Sequence, residues 1–344
     1  MNTFNVIKSK YIAFIENNEK NFAEKIVFFI LVCLSVIFRI IVVLRSFLYE
    51  KGYFKTTSVT AKVVSVGNIS WGGTGKTSLS LKLLDYFRPI YKTALLRRGY
   101  GGDEEKMYIE RGVNVFSGKD RVRLAVDNQS RYDLFILDDG YQYRKLKRDI
   151  NIVMLNPFDL FDTARLIPAG RLREAKSAIK RADVGIIMYK TICKNKDEYK
   201  QELIKIKKDI NVYFADYVIS RISDLSGKVY DKSFFNTRVM GAATAIGYPQ
   251  GFFALLKAEG LSPLLEIEYP DHYDLDTKDI EQLKNKFSVS GIADIFITRK
   301  DSYRFKDIDN VLKFYIVDVE FVMEDENKFF SDISSGIITN SKVY

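Results

Sequence analysis

The stretch from Ser65 to Leu84, SVGNISWGGTGKTSLSLKLL, decides how this chain is read. It sets four glycines and the triplet Gly75-Lys76-Thr77 between an apolar run and an amphipathic one. A phosphate loop wants a glycine, four residues, then Gly-Lys-Ser/Thr. Ser70 stands at the position of the first glycine, while Gly67, Gly72 and Gly73 supply flexibility nearby. Lys62 to Val66 is short, apolar and β-branched, which predicts a buried strand. From Thr77 onward, Leu79, Leu83, Leu84 and Phe87 share one helical face. Strand, glycine loop and helix together aim backbone N–H groups and a positive helix end at an anion. Gly72, Gly73, Thr74, Gly75, Lys76, Thr77 and Ser78 are therefore the expected nucleotide-binding residues. Lys76 would reach the outer phosphates of ATP, and Thr77 would hold Mg2+. A plain glycine-rich turn is the alternative, but it gives no packing reason for Gly-Lys-Thr at a helix start.

Segments downstream complete such a site. Lys92 to Arg98 reads as a second strand and runs into Gly99-Tyr100-Gly101-Gly102. Leu134 to Leu137 is a short apolar run ending in Asp138-Asp139-Gly140. A strand that ends in acids beyond a phosphate loop offers carboxylates to Mg2+. An Asp-Gly turn is the lesser alternative for the same residues taken alone. Ile150 to Leu155 and Val184 to Tyr189 are further buried strands. Between them, Ile167 to Glu174 gathers cations, Arg171 among them, around one acid. That cluster suits a phosphate or lipid head group, and taken alone a solvated helix start explains it nearly as well. The alternation predicts an α/β fold of the P-loop NTPase type, with a doubly wound, mostly parallel sheet. Val239 to Phe253, Ile295 to Thr298 and Phe314 to Val319 suggest a smaller C-terminal α/β domain. The expected division is 1–55 for an N-terminal membrane-associated helical segment, 56–219 for the P-loop core and 220–344 for the smaller domain.

Composition narrows the chemistry. Two cysteines and one histidine, His272, exclude a disulfide framework and a histidine-rich zinc site. The net charge of +9 suits anionic partners. No zinc finger, RNA-binding signature or basic-region heptad points to nucleic acid. Ile26 to Leu44, IVFFILVCLSVIFRIIVVL, is long enough to span a hydrocarbon core and carries one charge, Arg39, near its C-terminal end. The run is too long for a signal peptide, and no small-residue cleavage site follows it. A membrane span, a deep interfacial anchor and a buried soluble helix all remain open on sequence alone. Lys51, Lys55 and Lys62 follow it, which places the nucleotide domain in the cytoplasm.

The motifs VGNISWGGTGKT, RGYGG, DDGYQY, IPAGRLREA, GYPQGFF and YPDHYD occur in an order that resembles the tetraacyldisaccharide 4'-kinase family of lipid A biosynthesis. The likeness runs from the apolar helix to about Asp301. It implies a phosphate-loop kinase that uses MgATP to phosphorylate the 4'-hydroxyl of an acylated glucosamine disaccharide 1-phosphate, giving lipid IVA. It implies Lys76, Arg121, Asp103 and His272 as catalytic residues, the last two as an acid–histidine dyad. Thr77, Asp138 and Asp139 would hold the metal, and Tyr100, Glu104, Arg171 and Glu174 would contact substrate. The site would work at the cytoplasmic face of the inner membrane, and a monomer is expected. Four departures stand out. RGYG and GDE abut as RGYGGDEE, so Glu104 or Glu105 competes with Asp103 for the base. Tyr143 replaces the histidine of DDGFQH, Ala175 the proline of LREP, and TEKD reads Thr298-Arg299-Lys300-Asp301.

Two rivals come from other classes. A regulatory GTPase or metallochaperone-type NTPase is one: a guanine-selective loop wants [Asn/Thr]-Lys-x-Asp, which neither Thr298 to Asp301 nor Asn195 to Asp197 supplies, and no metal-carrying Cys/His motif supports a chaperone. A membrane partner with a dead nucleotide fold would be expected to have lost Lys76, Thr77, Asp138 or Asp139, and all four are present.

Overall fold

The computed structural model describes residues 11, 14–15, 17, 19–99, 105, 108–109, 111–160, 164–188, 195–269, 273, 275, 277–303, 305 and 312–339. Chain contacts divide it into two compact units, 20–189 with 195–215 and 323–344, and 1–19 with 190–194 and 216–322.

The larger unit opens with helix α1, Phe22–Glu50. Asn21 caps it: its side chain accepts from Glu24 N–H at 2.9 Å, and the Glu24 carboxylate accepts from Asn21 N–H at 2.8 Å. The sheet follows, with strands β1 Lys62–Asn68, β2 Thr93–Arg97, β3 Val115–Ser117, β4 Leu134–Leu137, β5 Ile150–Leu155 and β6 Val184–Met188. β7, Asn211–Asp224, begins in this unit and ends in the other. All pairings here are parallel, in the order β3-β2-β4-β1-β5-β6-β7. β1 is central, with Val64 opposite both Ile136 and Ile150. The strand order reverses on either side of it, and that switch point is where open α/β sheets bind ligands. Helices α2 Lys76–Phe87, α3 Arg121–Asn128 and α4 Lys196–Ile206 belong to this unit. The predicted stripe of Leu79, Leu83, Leu84 and Phe87 is fully buried. Each such side chain contributes about 1.5–3 kcal/mol on burial.

The smaller unit holds the rest of β7, β8 Val229–Tyr230, β9 Met240–Thr244, α5 Pro249–Ala258, β10 Leu265–Glu268, α6 Thr277–Val289, β11 Asp294–Thr298 and α7 Arg299–Ser302. It also takes most of β12, Lys313–Met323. β10-β9-β11-β12 is parallel, and β8 folds back antiparallel on β7. Asp301, in the TRKD stretch, is buried and accepts from Thr244 Oγ1, Thr298 Oγ1 and Ala245 N–H at 2.6, 2.7 and 3.1 Å. It knits together the ends of β9 and β11.

A mostly parallel α/β architecture is what the strand and helix pattern predicted. The contact units differ from a single division at 219/220. The final helix α8, Glu326–Thr339, groups with the larger unit. Phe330 stacks on Tyr86 of α2 at 3.8 Å, and Lys82 of α2 pairs with Glu326 at 2.9 Å. These are long-range contacts that the local sequence pattern does not encode.

Candidate active site

β1 runs into the glycine loop, and α2 starts at Lys76. Gly75 is the N-cap, with φ +77°, a left-handed conformation that a Cβ would strain. Thr77 and Ser78 sit in the first turn, where free N–H groups gather. Ser70, at the position of the missing glycine, is buried, and its hydroxyl donates to Asp159 Oδ2 at 2.6 Å. Burial pushes the Asp159 carboxyl up from its ordinary value, against the bonds from Ser70 and Asn156 N–H. The departure from the strict pattern is thus a defined anchor at the loop entry. Across the loop, Asn68 Nδ2 donates to Thr74 Oγ1 at 2.9 Å.

The acid pair at the end of β4 lies against this loop. Asp139 Oδ1 is 3.7 Å from Lys76 Nζ, and Arg173 Nη1 approaches Asp139 Oδ2 at 3.3 Å. Burial disfavours the Asp139 charge, but Lys76, Arg173 and Arg121 outweigh it and hold the carboxyl below its ordinary value. Asp139 has φ +47°, and Gly140 follows it. A non-glycine residue there is uncommon, and such strain concentrates at functional turns. Asp138 Oδ1 accepts from Ser80 Oγ at 3.2 Å, and Asp138 Oδ2 from the buried Tyr108 hydroxyl at 3.4 Å.

Arg121 opens α3, and Asp120 caps that helix. The Arg121 Nη1 donates to the carbonyls of Asp138 and Asp139, both at 3.2 Å. Its guanidinium lies over the Tyr143 ring at 3.9 Å. Val122 N–H donates to the Tyr143 hydroxyl at 3.1 Å. Tyr143, at the family's histidine position, therefore seats Arg121. Arg148 holds the same turn from below. It donates to the carbonyls of Gly140, Tyr143 and Tyr141, and burial pushes its pKa down to about 10.

The 171–174 segment packs against the loop rather than standing in solvent, and a short 3-10 helix, Lys176–Arg181, starts just beyond it. Trp71 N–H donates to the Arg171 carbonyl at 2.8 Å, and Arg173 N–H to the Ile69 carbonyl at 2.6 Å. Arg171 Nη1 lies 3.9 Å from where a Cβ on Gly72 would stand. Glu174 is buried and paired with Arg181 at 2.6 Å, and Arg181 covers the Tyr141 ring at 4.8 Å. In this structure Glu174 braces the turn after the acid pair.

The structure thus brings Lys76, Arg121, Asp138, Asp139 and Arg171 to the glycine loop. Tyr100, Asp103, Glu104 and His272 lie outside the described residues. Arg173, part of the cation cluster between Ile167 and Glu174, pairs with Asp139, while Ser80, Tyr108 and Gln142 join the site without having been singled out. Ser80 carried a signal, since it lies one helical turn beyond Lys76 and Thr77. Thr77, Asp138 and Asp139 offer hard oxygen donors of the kind Mg2+ prefers, so the residues present fit that ion.

Known proteins resemble this arrangement. A relative from Halothermothrix orenii, named tetraacyldisaccharide 4'-kinase, is 29% identical over 364 residues, covering 92% of this chain and 95% of its own. One of the same name from Aquifex aeolicus is 32% identical over 267 residues, covering 70% and 81%. A crystal structure of LpxK from Aquifex aeolicus in complex with ATP superposes with a TM-score of 0.64 at 26% identity, covering 88% of this chain and 97% of its own. The model of the tetraacyldisaccharide-1-P 4'-kinase family, LpxK, matches residues 27–114 and 102–337, and the chain belongs to that family.

Proposed function

We propose that this protein transfers the γ-phosphate of ATP to the 4'-hydroxyl of tetraacyldisaccharide 1-phosphate, giving lipid IVA. The observation that carries the reading is Asp139, strained, next to Asp138 and set 3.7 Å from Lys76 at the mouth of a glycine loop, in a chain of this family. Phosphoryl transfer asks for positioning and charge neutralisation more than for covalent chemistry. The loop N–H groups and Lys76 hold the outer phosphates. Arg121 is held rigidly over the acid pair and neutralises charge developing on the transferring group. Bound Mg2+, held by Thr77 with Asp138 and Asp139, would neutralise the phosphate oxygens. Asp103 accepts the proton of the sugar hydroxyl, with His272 orienting it. Glu104 and Glu105 are its competitors. Tyr100 and Arg171 serve the acceptor.

The acceptor is a lipid, and α1 fits its delivery. Its less exposed positions are Glu24, Phe28, Leu31, Val32, Ser35, Phe38, Val42, Ser46, Leu48 and Tyr49, all but Leu48 on one stripe along the helix. Contacts to the same unit run along that stripe. Arg165 lies over Phe28 at 5.1 Å, Ser35 Oγ donates to the Leu166 carbonyl, and Arg144 Nη1 donates to the Ser46 carbonyl at 3.2 Å. Ile30, Ile37, Ile40, Ile41 and Leu44 stay exposed. A helix fastened along its length to a polar domain cannot cross a bilayer with those contacts intact. We therefore read α1 as an interfacial anchor on the cytoplasmic face of the inner membrane, carrying a monomeric enzyme.

Labelled phosphate transfer from ATP to tetraacyldisaccharide 1-phosphate in mixed micelles tests the reading. Transfer by the native chain that collapses in Lys76→Ala and Asp103→Ala supports it. Transfer retained in Asp103→Ala moves the base to Glu104 or Glu105. An ATP-binding native chain that transfers nothing overturns the kinase reading.

A further inference from the structure

Three hydrogen bonds run in series from α1 to the phosphate loop. Arg45 Nη2 donates to the Gln142 carbonyl at 2.7 Å. Gln142 Nε2 donates to the Asn68 carbonyl at 2.7 Å. Asn68 Nδ2 donates to Thr74 Oγ1 at 2.9 Å. Asn68 and Thr74 are buried, so the inner links are sheltered from water. A second brace holds the outer end: Arg144 lies 3.9 Å from Glu50 and covers the Tyr49 ring at 4.9 Å.

We propose that Gln142 is a positioning residue through which helix α1 sets the shape of the phosphate loop. The proposal rests on the kinase reading and adds regulation to it. The series alternates between backbone and side chain. Arg45 fixes the Gln142 main chain, the Gln142 amide fixes the end of β1, and Asn68 closes the loop onto Thr74, next to Gly75. A glycine-rich loop has many conformers, and one held in its binding shape costs less to order when ATP arrives. Displacing α1 from this unit therefore slackens the loop and weakens ATP binding.

The test is the affinity of the full chain, in detergent micelles with Mg2+, for a fluorescent ATP analogue. Gln142→Met removes the amide donor and keeps the length. Arg45→Met removes the helix donor, and Arg45→Lys keeps a donor and the charge. Each methionine variant is expected to weaken binding roughly three- to tenfold, the range for one lost hydrogen bond. The double variant is expected to be no worse than the poorer single, because either break disconnects the series. Arg45→Lys stays near the native affinity, and KM for the lipid is unchanged in Gln142→Met. Native affinity in Gln142→Met, or losses that multiply in the double variant, would overturn the proposal. Should Gln142→Met fail to fold, Arg45→Met on the exposed helix still decides, and native affinity there overturns it. ATP affinity needs no acceptor, so a chain that binds ATP without phosphorylating the lipid would sink the kinase reading and leave this result standing or falling by itself.

Discussion

Arg121 illustrates how one side chain is prepared. Burial lowers its pKa, and the charges of Asp139 and Asp138 oppose that, so the guanidinium is kept charged among carbonyls and a tyrosine ring. Cation–π contacts of partly desolvated groups are worth about 0.5–2 kcal/mol. Tyr143→Phe keeps the ring and loses the bond from Val122 N–H. It is expected to retain most of kcat, whereas Tyr143→Leu is expected to lose about tenfold with KM for ATP little changed. Steady-state kinetics in mixed micelles separates them. In an Arg121→Lys background, which a tyrosine face seats less well, the leucine change should add little. Asp139 gives a second prediction. Its carboxyl sits below the ordinary value, so the stability it contributes is present above that value and lost only as pH falls through the folded one. Thermal melts should therefore show no Asp139-dependent change across the neutral range. In Asp139→Asn the loss of a negative charge beside the phosphates is expected to leave metal-free ATP binding equal or tighter. Mg2+-dependent transfer should fall by about a hundredfold or more, as when one charge-stabilising group is lost from an active site. Equilibrium binding with and without a chelator checks both.

Elements differ in how plainly the sequence announces them. β1 and α2 were legible because period and apolar content agree with burial over a full element. α3, Arg121–Asn128, was not, because eight residues, half of them polar, are too short a run to fix a period. β3 has three residues, too few to carry a period. Ser70 looked like a defect in the loop, and only the fold shows Asp159 waiting for its hydroxyl. Gly67 looked like general flexibility, yet a Cβ there would stand 2.6 Å from the Tyr141 Cβ and backbone nitrogen. Gly67→Ala must push the turn after the acid pair away from β1, an overpacking change worth about 1–3 kcal/mol, visible as a lowered Tm. Helix α1 announced itself by composition, but the stripe it turns toward the unit did not. Ile37 and Ile41 are 55% and 58% exposed on its open side. Ile37→Asp with Ile41→Asp is expected to abolish co-sedimentation with anionic vesicles while Tm stays within a few degrees, since surface changes seldom exceed about 0.5 kcal/mol.

For the molecule as a whole, the phosphate loop, the acid pair and the apolar helix could be read from the chain because each is a local pattern. Their assembly could not. Arg173 reaches Asp139, α8 packs on α2, and Gln142 ties α1 to β1, all across long separations. Those contacts fasten the glycine loop to helix α1, which on the proposed reading brings a soluble donor to a membrane-bound acceptor. The most direct test of that account is the position of the new phosphate. Phosphorus NMR of the product formed from ATP and tetraacyldisaccharide 1-phosphate should show one added phosphomonoester coupled to the proton at the 4' carbon, with the 1-phosphate resonance unchanged. A 1-phosphate converted to a diphosphate, or no new resonance from a chain that binds ATP, would contradict the account.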